Sequence, residues 1–392
     1  MSLFHSKDKP VKPLPFPIYY WTVALLALAG LLNSIYLAVS HYRVYTDIGY
    51  RSFCAISKAI NCDTVSQSPY SIIFNFPVPV WGIIGYTLFL LFLVFAWNKP
   101  LPHKRLWSLL VVIAWVFSCI SVGLALILTT FIHSYCIMCI LSYGINLSLL
   151  FFTALTRKRF STSGFIEGFR QDTYFLSQKR IRAVAVFIPF LIIVGVAVVM
   201  LPGYWKILPG GISTNIPRGI TEEGHPWIGA ESPELTIIEF SDYLCFQCKK
   251  MHYYLRRIVA QNPTKIRLVH RHFPMDHEVN FIVKDPFHIG SAKMALAAIY
   301  SVSKGKFWEM NDLLFELAGN EKEMNLTKLA SRTSLDSKGL VHAIYSQKIR
   351  RKLKIDIWTA LKFRMVGTPS YLIDGKVYQG QLPPEIFKKV LN

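Results

Sequence analysis

Residues 133–155 read HSYCIMCILSYGINLSLLFFTAL. Two cysteines, Cys136 and Cys139, open an apolar run over 136–155 that contains no Asp, Glu, Lys or Arg, and a helix of this length crosses a bilayer core of about 30 Å. Their spacing places both sulfurs on one helix face, and the positive end of the helix dipole favours the thiolate. The segment predicts a redox-active dithiol at a membrane surface, with a static disulfide or two packing cysteines as the alternative.

Four more apolar runs without charged residues occur in the first half of the 392-residue chain, whose hydrophobic content is 52%. They cover residues 19–39, 80–97, 107–132 and 183–201. Aromatic residues stand near their ends, as at a membrane interface. The first run is too long for a typical signal core, so we interpret it as an anchor. We therefore expect an all-α four-helix membrane bundle over 19–156 and a fifth transmembrane helix over 183–205.

Part of the net charge of +20 lies in the short segments before and between these runs. Three segments are rich in Lys and Arg: the tail 1–18, the stretch 98–106 and the basic loop 157–182. The positive-inside rule places all three in the cytoplasm. Charge at these positions favours a membrane protein over a nucleic-acid-binding one. The basic excess of the second half is interpreted as a solvated surface, with attraction to anionic lipid headgroups or acidic client chains as the alternative.

This orientation brings three close cysteine pairs to one side of the membrane. Cys54 and Cys62 lie in the outer loop between the first two spans, and a third pair follows the fifth span. Two cysteines in a short loop could move electrons between partners, or could form a structural staple. The seventh cysteine, Cys119, lies within a span, and we interpret it as a small buried hydrophobic residue.

Residues 19–155 resemble the vitamin K epoxide reductase family, and in particular its bacterial members. Several features carry the resemblance: Cys54 and Cys62 at their spacing, the following DTVSQS, the stretch VWGIIGY that ends at Tyr86, and CIMC followed by Tyr143 and Asn146. The resemblance implies a four-helix bundle around a quinone, either ubiquinone or menaquinone.

It also implies residue roles. Cys136 and Cys139 would reduce the quinone, and Cys54 and Cys62 would pass electrons to them. Ser68 would belong to the active site, and Tyr143 would lie beside the quinone. One departure concerns Val78, which stands where the family often has an Asn that hydrogen-bonds a quinone carbonyl. We expect Val78, Ser68, Tyr143 and Cys136 around the quinone, and Val78 favours a plain quinone over an epoxide as substrate.

The second half predicts a soluble α/β domain. A β-rich stretch over 235–241 leads into DYLCFQCKK and a helical stretch to about residue 259. A strand, a CxxC motif and a helix in this order form a redox motif rather than a metal site, and we expect no bound metal. Cys245 is expected to lie exposed at the helix start as the attacking thiolate, with Cys248 as the resolving thiol.

Downstream, the stretch Val-Gly-Thr368-Pro369-Ser precedes a β-hairpin and resembles the cis-proline loop of the thioredoxin superfamily. A cis bond at Pro369 would face Cys245 and expose a backbone edge to client peptide. The mostly helical stretch between the strand over 265–272 and this loop resembles the DsbA-like branch. We therefore expect a Gly- and Pro-rich linker over 206–232 and a thioredoxin-like domain with a helical insertion over 233–392.

Together these features predict a quinone-dependent thiol oxidase in the bacterial inner membrane, with its thioredoxin domain in the periplasm. Electrons would pass from reduced exported client proteins to Cys245–Cys248, then to Cys54–Cys62, then to Cys136–Cys139, and finally to the membrane quinone pool. Membrane lipid is an expected partner and nucleic acid is not. Three alternatives stay open: a quinol-driven disulfide reductase or isomerase, a quinone epoxide reductase, and a membrane-anchored copper-binding module.

The membrane topology is testable with reporter fusions. Reporters joined after Trp97 or Arg159 should be active in the cytoplasm, and reporters joined after Gly210 should be active outside, because the basic segments stay inside. A cytoplasmic result at Gly210 would contradict the whole electron relay.

Overall fold

The computed structural model describes residues 14–56, 60–97, 105–161, 163–205, 216–318, 325–383 and 385–387. Most of the tail 1–18, most of the basic stretch between the second and third spans, and the first ten residues of the expected linker lie outside this set. The chain forms two compact units, one of residues 1–44 and 51–203 and the other of residues 45–50 and 204–392.

The first unit contains the five expected spans, each a helix long and apolar enough to cross a membrane. They are α1 (Phe16–Thr46), α3 (Val78–Ala96), α4 (Trp107–Ile127, continued by a π-helical turn over Leu128–Ile132), α5 (Ile137–Phe160) and α7 (Arg180–Met200). The helix α1 is longer than the apolar run because it continues through polar residues at its outer end. The four-helix bundle packs around buried aromatic and aliphatic side chains, among them Tyr86, Phe89, Trp107 and Leu149.

The outer loop between α1 and α3 has its own local structure. It contains the short helix α2 (Cys62–Gln67), a 3₁₀ turn (Pro69–Ser71) and a small hairpin of β1 (Ile72–Ile73) and β2 (Phe76–Pro77). The side-chain oxygen Oδ1 of Asn61 accepts hydrogen bonds from Asp63 N and Thr64 N and so caps α2. Asn is among the residues that best satisfy the free N–H groups at a helix start.

The basic segment between α5 and α7 is helical rather than an open loop. Its helix α6 (Phe165–Gln178) buries Asp172, whose carboxylate accepts hydrogen bonds from the backbone N–H groups of Leu106, Ser108 and Leu109 at 2.7, 2.9 and 3.2 Å. These are free N–H groups at the start of α4. A residue distant in sequence therefore caps a membrane span, which local sequence patterns do not show.

The second unit is built on a six-stranded sheet in the order β3-β4-β6-β5-β7-β8. Its strands are β3 (Arg218–Ile220), β4 (Pro226–Gly229), β5 (Leu235–Ser241), β6 (Ile266–His272), β7 (Ser370–Ile373) and β8 (Lys376–Gln379). The central strands β5 and β6 are parallel, and the other neighbours are antiparallel. The end of β5 is buried on both faces, so the chain that leaves it reaches the CxxC motif from within the core.

Six helices of the described residues share a hydrophobic core with the sheet. They are α8 (Phe246–Gln261), α9 (Ser291–Val302), α10 (Phe307–Leu317), α11 (Leu326–Thr333), α12 (Ser337–Tyr345) and α13 (Gln347–Lys362). The helices α9 to α13 form the expected insertion between β6 and β7. This arrangement is a thioredoxin-like fold with a helical insertion.

The expected linker boundary at residue 232 was wrong, because β3 and β4 lie within it and belong to the sheet. Within the described part of that stretch, Gly219, Gly224 and Pro226 lie in an edge hairpin instead. A Cβ at Gly219 would lie 2.6 Å from the ring of Trp227 on the partner strand, so only glycine allows this close approach.

The long-range cap of α4 yields a stability prediction. Asp172→Ala should lower the free energy of unfolding by about 1–2 kcal/mol, because it removes the acceptor of three buried N–H groups. Thermal unfolding of the detergent-solubilised chain would measure this. Glu167→Ala on the same helix is the control, since Glu167 is exposed and accepts a bond from Gln171 alone among the contacts described for it. Equal melting temperatures for the two variants would contradict the role of Asp172.

Candidate active site

The membrane dithiol lies where α5 begins. Cys136 precedes the first turn, and its sulfur accepts a hydrogen bond from Cys139 N at 3.2 Å. The side chain of Asn33 on α1 donates to Met138 O at 2.9 Å and to Ser142 Oγ at 2.7 Å. A buried polar side chain of one span thus holds the turn that carries both thiols.

Cys54, Cys62 and Cys136 lie together in one buried cluster, against which Cys139 packs. Cys54 and Cys62 form a disulfide bond, and Cys136 and Cys139 are free thiols. The first three cysteines are 0%, 2% and 1% exposed. The structure therefore brings both predicted pairs of the membrane unit to one place.

The loop that carries the disulfide is fastened to the turn before α5. Asn61 N donates to Tyr135 O at 2.9 Å, and Ile60 pairs with Tyr135 in a parallel β-bridge. Asp63 Oδ2 accepts a hydrogen bond from Ser52 N at 3.1 Å on the other side of the disulfide. The described part of the loop is thus held in place.

A cavity of about 200 Å³ lies beside the dithiol within the bundle. Its wall includes Ser68, Tyr143 and Val78, three of the four residues expected around a quinone. The fourth, Cys136, is not part of the wall and lies in the cysteine cluster, whereas Cys139 does line the cavity. A mostly apolar wall with a few polar groups and one thiol fits a quinone head group.

Two polar contacts in the wall were not predicted from the sequence as parts of the site. Tyr86 Oη donates to Asn146 Oδ1 at 2.5 Å, and Asn146 Nδ2 donates to Ser121 Oγ at 2.8 Å. Both Tyr86 and Asn146 had been noted as features of the resemblance, without a role. Elsewhere in the cavity wall, His41 Nε2 lies 3.3 Å from Ser71 Oγ. A single histidine near the end of an apolar run carries no spacing signal that would have identified it.

In the second unit the CxxC motif repeats the same local geometry. Cys245 precedes the first turn of α8, and its sulfur accepts a hydrogen bond from Cys248 N at 3.3 Å. The hydrogen bond between the two thiol groups lowers the pKa of Cys245, against the effect of burial. Burial raises the pKa of Cys248 well above its ordinary value, and its hydrogen bond to Cys245 adds to this. The first cysteine is thus the better thiolate, as a nucleophile requires.

The expectation that Cys245 would be exposed was wrong, since the residue is only 8% exposed. The cause is the loop before β7, where the Thr368–Pro369 peptide bond is cis and Thr368 O lies 3.5 Å from the Cys245 sulfur. The structure thus brings the predicted residues Thr368 and Pro369 to the thiol.

Several charged residues around this centre gave no sequence signal. Asp242 is buried three residues before Cys245 and accepts a hydrogen bond from His288 Nδ1 at 2.9 Å. Deeper in the core, burial raises the pKa of Glu239 to about 7, and His270 Nδ1 lies 3.5 Å from its carboxylate. A contact between neighbouring strands creates the second pair and a contact between two loops distant in sequence creates the first, and periodicity along the chain shows neither.

Cys119 differs from its expected environment. It is exposed on the surface of α4 and not buried among other protein side chains. On a membrane-spanning helix such a position faces lipid, which suits a small apolar side chain as well as a protein interior does.

Comparisons with curated proteins and solved structures give partial matches. The chain is 24% identical over 152 residues to Na(+)/H(+) antiporter NhaA 3 of Salinispora tropica and 26% identical over 152 residues to Na(+)/H(+) antiporter NhaA 1 of Salinispora arenicola. Each match covers 39% of this chain and 22% of the antiporter, so the chain spans less than a quarter of the length of these relatives.

Among solved structures, a thioredoxin-like oxidoreductase from Silicibacter pomeroyi matches with a TM-score of 0.36 and 22% identity, over 44% of this chain and 91% of that one. The thiol-disulfide exchange protein alpha-DsbA2 from Wolbachia pipientis matches with a TM-score of 0.35 and 18% identity, over 42% of this chain and 84% of that one.

Family profiles match both halves of the chain. Residues 21–154 match the vitamin K epoxide reductase family, and residues 221–392 match a thioredoxin family. The thioredoxin match begins at residue 221, near the β3–β4 hairpin that the linker expectation had excluded. The two domains together indicate a disulfide redox function. The chain therefore joins a membrane domain of the vitamin K epoxide reductase family to a thioredoxin-like domain.

Proposed function

We propose that this protein is a quinone-linked thiol oxidase that forms disulfide bonds in exported proteins. A client dithiol is oxidised by the Cys245–Cys248 disulfide, and the two electrons then pass to Cys54–Cys62 and to Cys136–Cys139. The net reaction converts one client dithiol and one quinone into one client disulfide and one quinol. It balances in electrons and protons without another reactant.

The observation that carries this proposal is the position of four cysteines in the membrane domain. A disulfide, Cys54–Cys62, shares a buried cluster with Cys136, and Cys139 of the same CxxC motif lines a largely apolar cavity. A structural staple alone needs neither the second pair nor the cavity. Thiol–disulfide exchange requires thiols and disulfides in contact, and a lipid-soluble oxidant requires an apolar site beside the last thiol.

A bound quinone would supply a two-electron, two-proton acceptor beside Cys139. Tyr143, Ser68 and Val78 would line its site, and the hydrogen-bonded pair Tyr86 and Asn146 would fix the polar part of the wall. Val78 contributes no hydrogen bond at the position where the resemblance leads one to expect an Asn. We therefore propose a plain quinone, ubiquinone or menaquinone, and not an epoxide.

The direction of electron flow and the location belong to the same proposal. The five spans and the basic inner segments support a multi-pass protein of the bacterial inner membrane, with all three cysteine pairs on the periplasmic side. The tether between the domains raises the effective concentration of one at the other, to about millimolar for a short flexible linker. Reduced exported proteins, the quinone pool and membrane lipid are the proposed partners. In the reverse direction the same cysteines would make a quinol-driven reductase.

Quinone turnover tests the proposal directly. The purified chain, supplied with a reduced peptide and each candidate quinone in turn, should reduce the quinone and oxidise the peptide in equal amounts. Cys139→Ser should lose quinone reduction because no thiol then lines the cavity, and Cys136→Ser should lose it because the Cys136–Cys139 disulfide can no longer form. Peptide exchange at Cys245 should continue in both variants. Quinone absorbance measures quinone reduction, and titration of the peptide thiols measures peptide oxidation.

Cys119→Ser is the matched control, since it removes a cysteine of the same membrane domain that lies on the outer surface of α4. The Cys119→Ser variant should reduce quinone at the same rate as the unaltered chain. Quinone reduction that survives in a Cys136→Ser, Cys139→Ser double variant would place this chemistry elsewhere. Net reduction of an oxidised peptide by quinol, with no reaction in the other direction, would favour the reductase.

Electron transfer between the domains should leave a trappable intermediate. In a Cys248→Ala variant the resolving thiol is absent, so a mixed disulfide between Cys245 and either Cys54 or Cys62 should accumulate within one chain. Peptide mapping of the non-reduced protein would identify the bond. If mapping finds the Cys54–Cys62 bond alone, and turnover survives in a Cys54→Ala, Cys62→Ala variant, the shuttle role is refuted.

A further inference from the structure

His288 and Asp242 form a charged pair at the thioredoxin centre that the electron relay described above does not use. Asp242 is fully buried, and Asp242 Oδ2 accepts hydrogen bonds from His288 Nδ1 at 2.9 Å, from Met275 N at 2.6 Å and from Ser291 Oγ at 3.2 Å. Its other oxygen accepts a hydrogen bond from Leu244 N at 2.7 Å. Such a network fixes the carboxylate and therefore the orientation of the imidazole.

The pair is adjacent to the reactive thiol. Asp242 O accepts the backbone hydrogen bond of Cys245 N at 3.2 Å, so the carboxylate and the sulfur lie in the same turn. The imidazole of His288 lies close enough to the sulfur that the charge on each affects the pKa of the other. The ring is partly accessible, with its side chain 20% exposed, and the ring of Phe287 stacks on it at 4.0 Å.

The CxxC motif itself supplies no charge to this thiol. The two residues between the cysteines are Phe246 and Gln247, both neutral. A helix N-terminus stabilises a thiolate through its dipole, and a cationic neighbour adds to that effect. A cation from another part of the fold can add to the effect of the dipole, and His288, in the loop before α9, acts on Cys245 in this sense.

We propose that His288 is a positioning residue for disulfide exchange: held by Asp242, its imidazolium stabilises the Cys245 thiolate. This inference rests on the proposed role of Cys245 as the attacking thiolate. When oxidised client is released, the second client thiolate attacks the client sulfur of the mixed disulfide. The client disulfide forms, the bond to Cys245 breaks, and the electron pair leaves on the Cys245 sulfur.

The direction in which His288 shifts the pKa of Cys245 follows from the charges around its imidazole. Burial acts against a charge on His288, but its hydrogen bond to Asp242 and the charges of Asp242, Cys245 and Asp276 together raise its pKa above the ordinary value. The imidazolium in turn lowers the pKa of Cys245, while the Asp242 carboxylate acts in the opposite sense. A thiolate of lower pKa leaves faster, and a stabilised reduced form makes the disulfide a stronger oxidant.

The decisive measurement is the pH dependence of Cys245 alkylation in the reduced full-length chain. Pulses of iodoacetamide at a series of pH values, followed by mass spectrometry of the Cys245 peptide, give the midpoint for this thiol alone. His288→Gln should move the midpoint upward by about one pH unit, the lower end of what one opposite charge produces at close range. His288→Lys, which keeps a positive charge, should leave the midpoint close to that of the unaltered chain.

A second measurement follows the stability of the reduced form. The equilibrium of the Cys245–Cys248 disulfide with glutathione should shift up to about tenfold toward the disulfide in His288→Gln, because one pKa unit corresponds to a tenfold change in an equilibrium constant. His288→Lys should stay close to the unaltered chain. A change caused by packing alone would affect the Gln and Lys variants alike.

His277→Gln is the matched control, because His277 lies in the same segment before α9 and pairs with Asp276 at 3.6 Å rather than with Asp242. It should leave the midpoint unchanged. An unshifted midpoint in His288→Gln, a shift of equal size in His277→Gln, or an equal shift in His288→Lys would each overturn the proposal. Since alkylation involves no quinone, a chain that fails to reduce quinone would refute the proposed oxidase and leave this test intact.

Discussion

A cysteine placed immediately before a helix, with its sulfur accepting the N–H of the residue three positions later, is the constraint on which both redox centres depend. Cys136 and Cys245 meet it with N–S distances of 3.2 and 3.3 Å. The arrangement uses one of the N–H groups that every helix start leaves without a partner. It directs both sulfurs of a CxxC motif to one face, and it gives the two thiols of each motif unequal environments.

The two centres share this geometry but differ in their surroundings. In the membrane domain, the dithiol adjoins an apolar cavity and a buried disulfide, and the uncharged side chain of Asn33 holds the turn that carries it. In the thioredoxin-like domain, buried charged groups, Asp242 and Glu239 among them, surround the sheet end that carries Cys245. The first environment suits contact with a lipid-soluble molecule, and the second suits adjustment of thiol acidity.

Local patterns in the sequence predicted most of the fold. Apolar runs predicted five spans, and the order of strand, CxxC and helix predicted the second domain, because both signals are short-range. The failures involve contacts between distant residues. Gly219 was interpreted as part of a linker, since the ring of Trp227 that requires a glycine there lies on the next strand. Asp172 and His288 could not be recognised because their partners are far away in sequence. Thr368, close to the Cys245 sulfur, was found only through the resemblance of its loop.

The burial of Cys54, Cys62 and Cys136 bears on how these cysteines react with small thiols. Small thiols reduce an exposed disulfide by exchange, and in the proposed relay this would pass electrons on without oxidising a protein. The loop that carries Cys54 and Cys62 is fastened through Asn61 to Tyr135, next to Cys136, and the three cysteines are at most 2% exposed. Under the proposed function, this burial would shield the membrane cysteines from small reductants. It would favour exchange with a protein partner that displaces the loop.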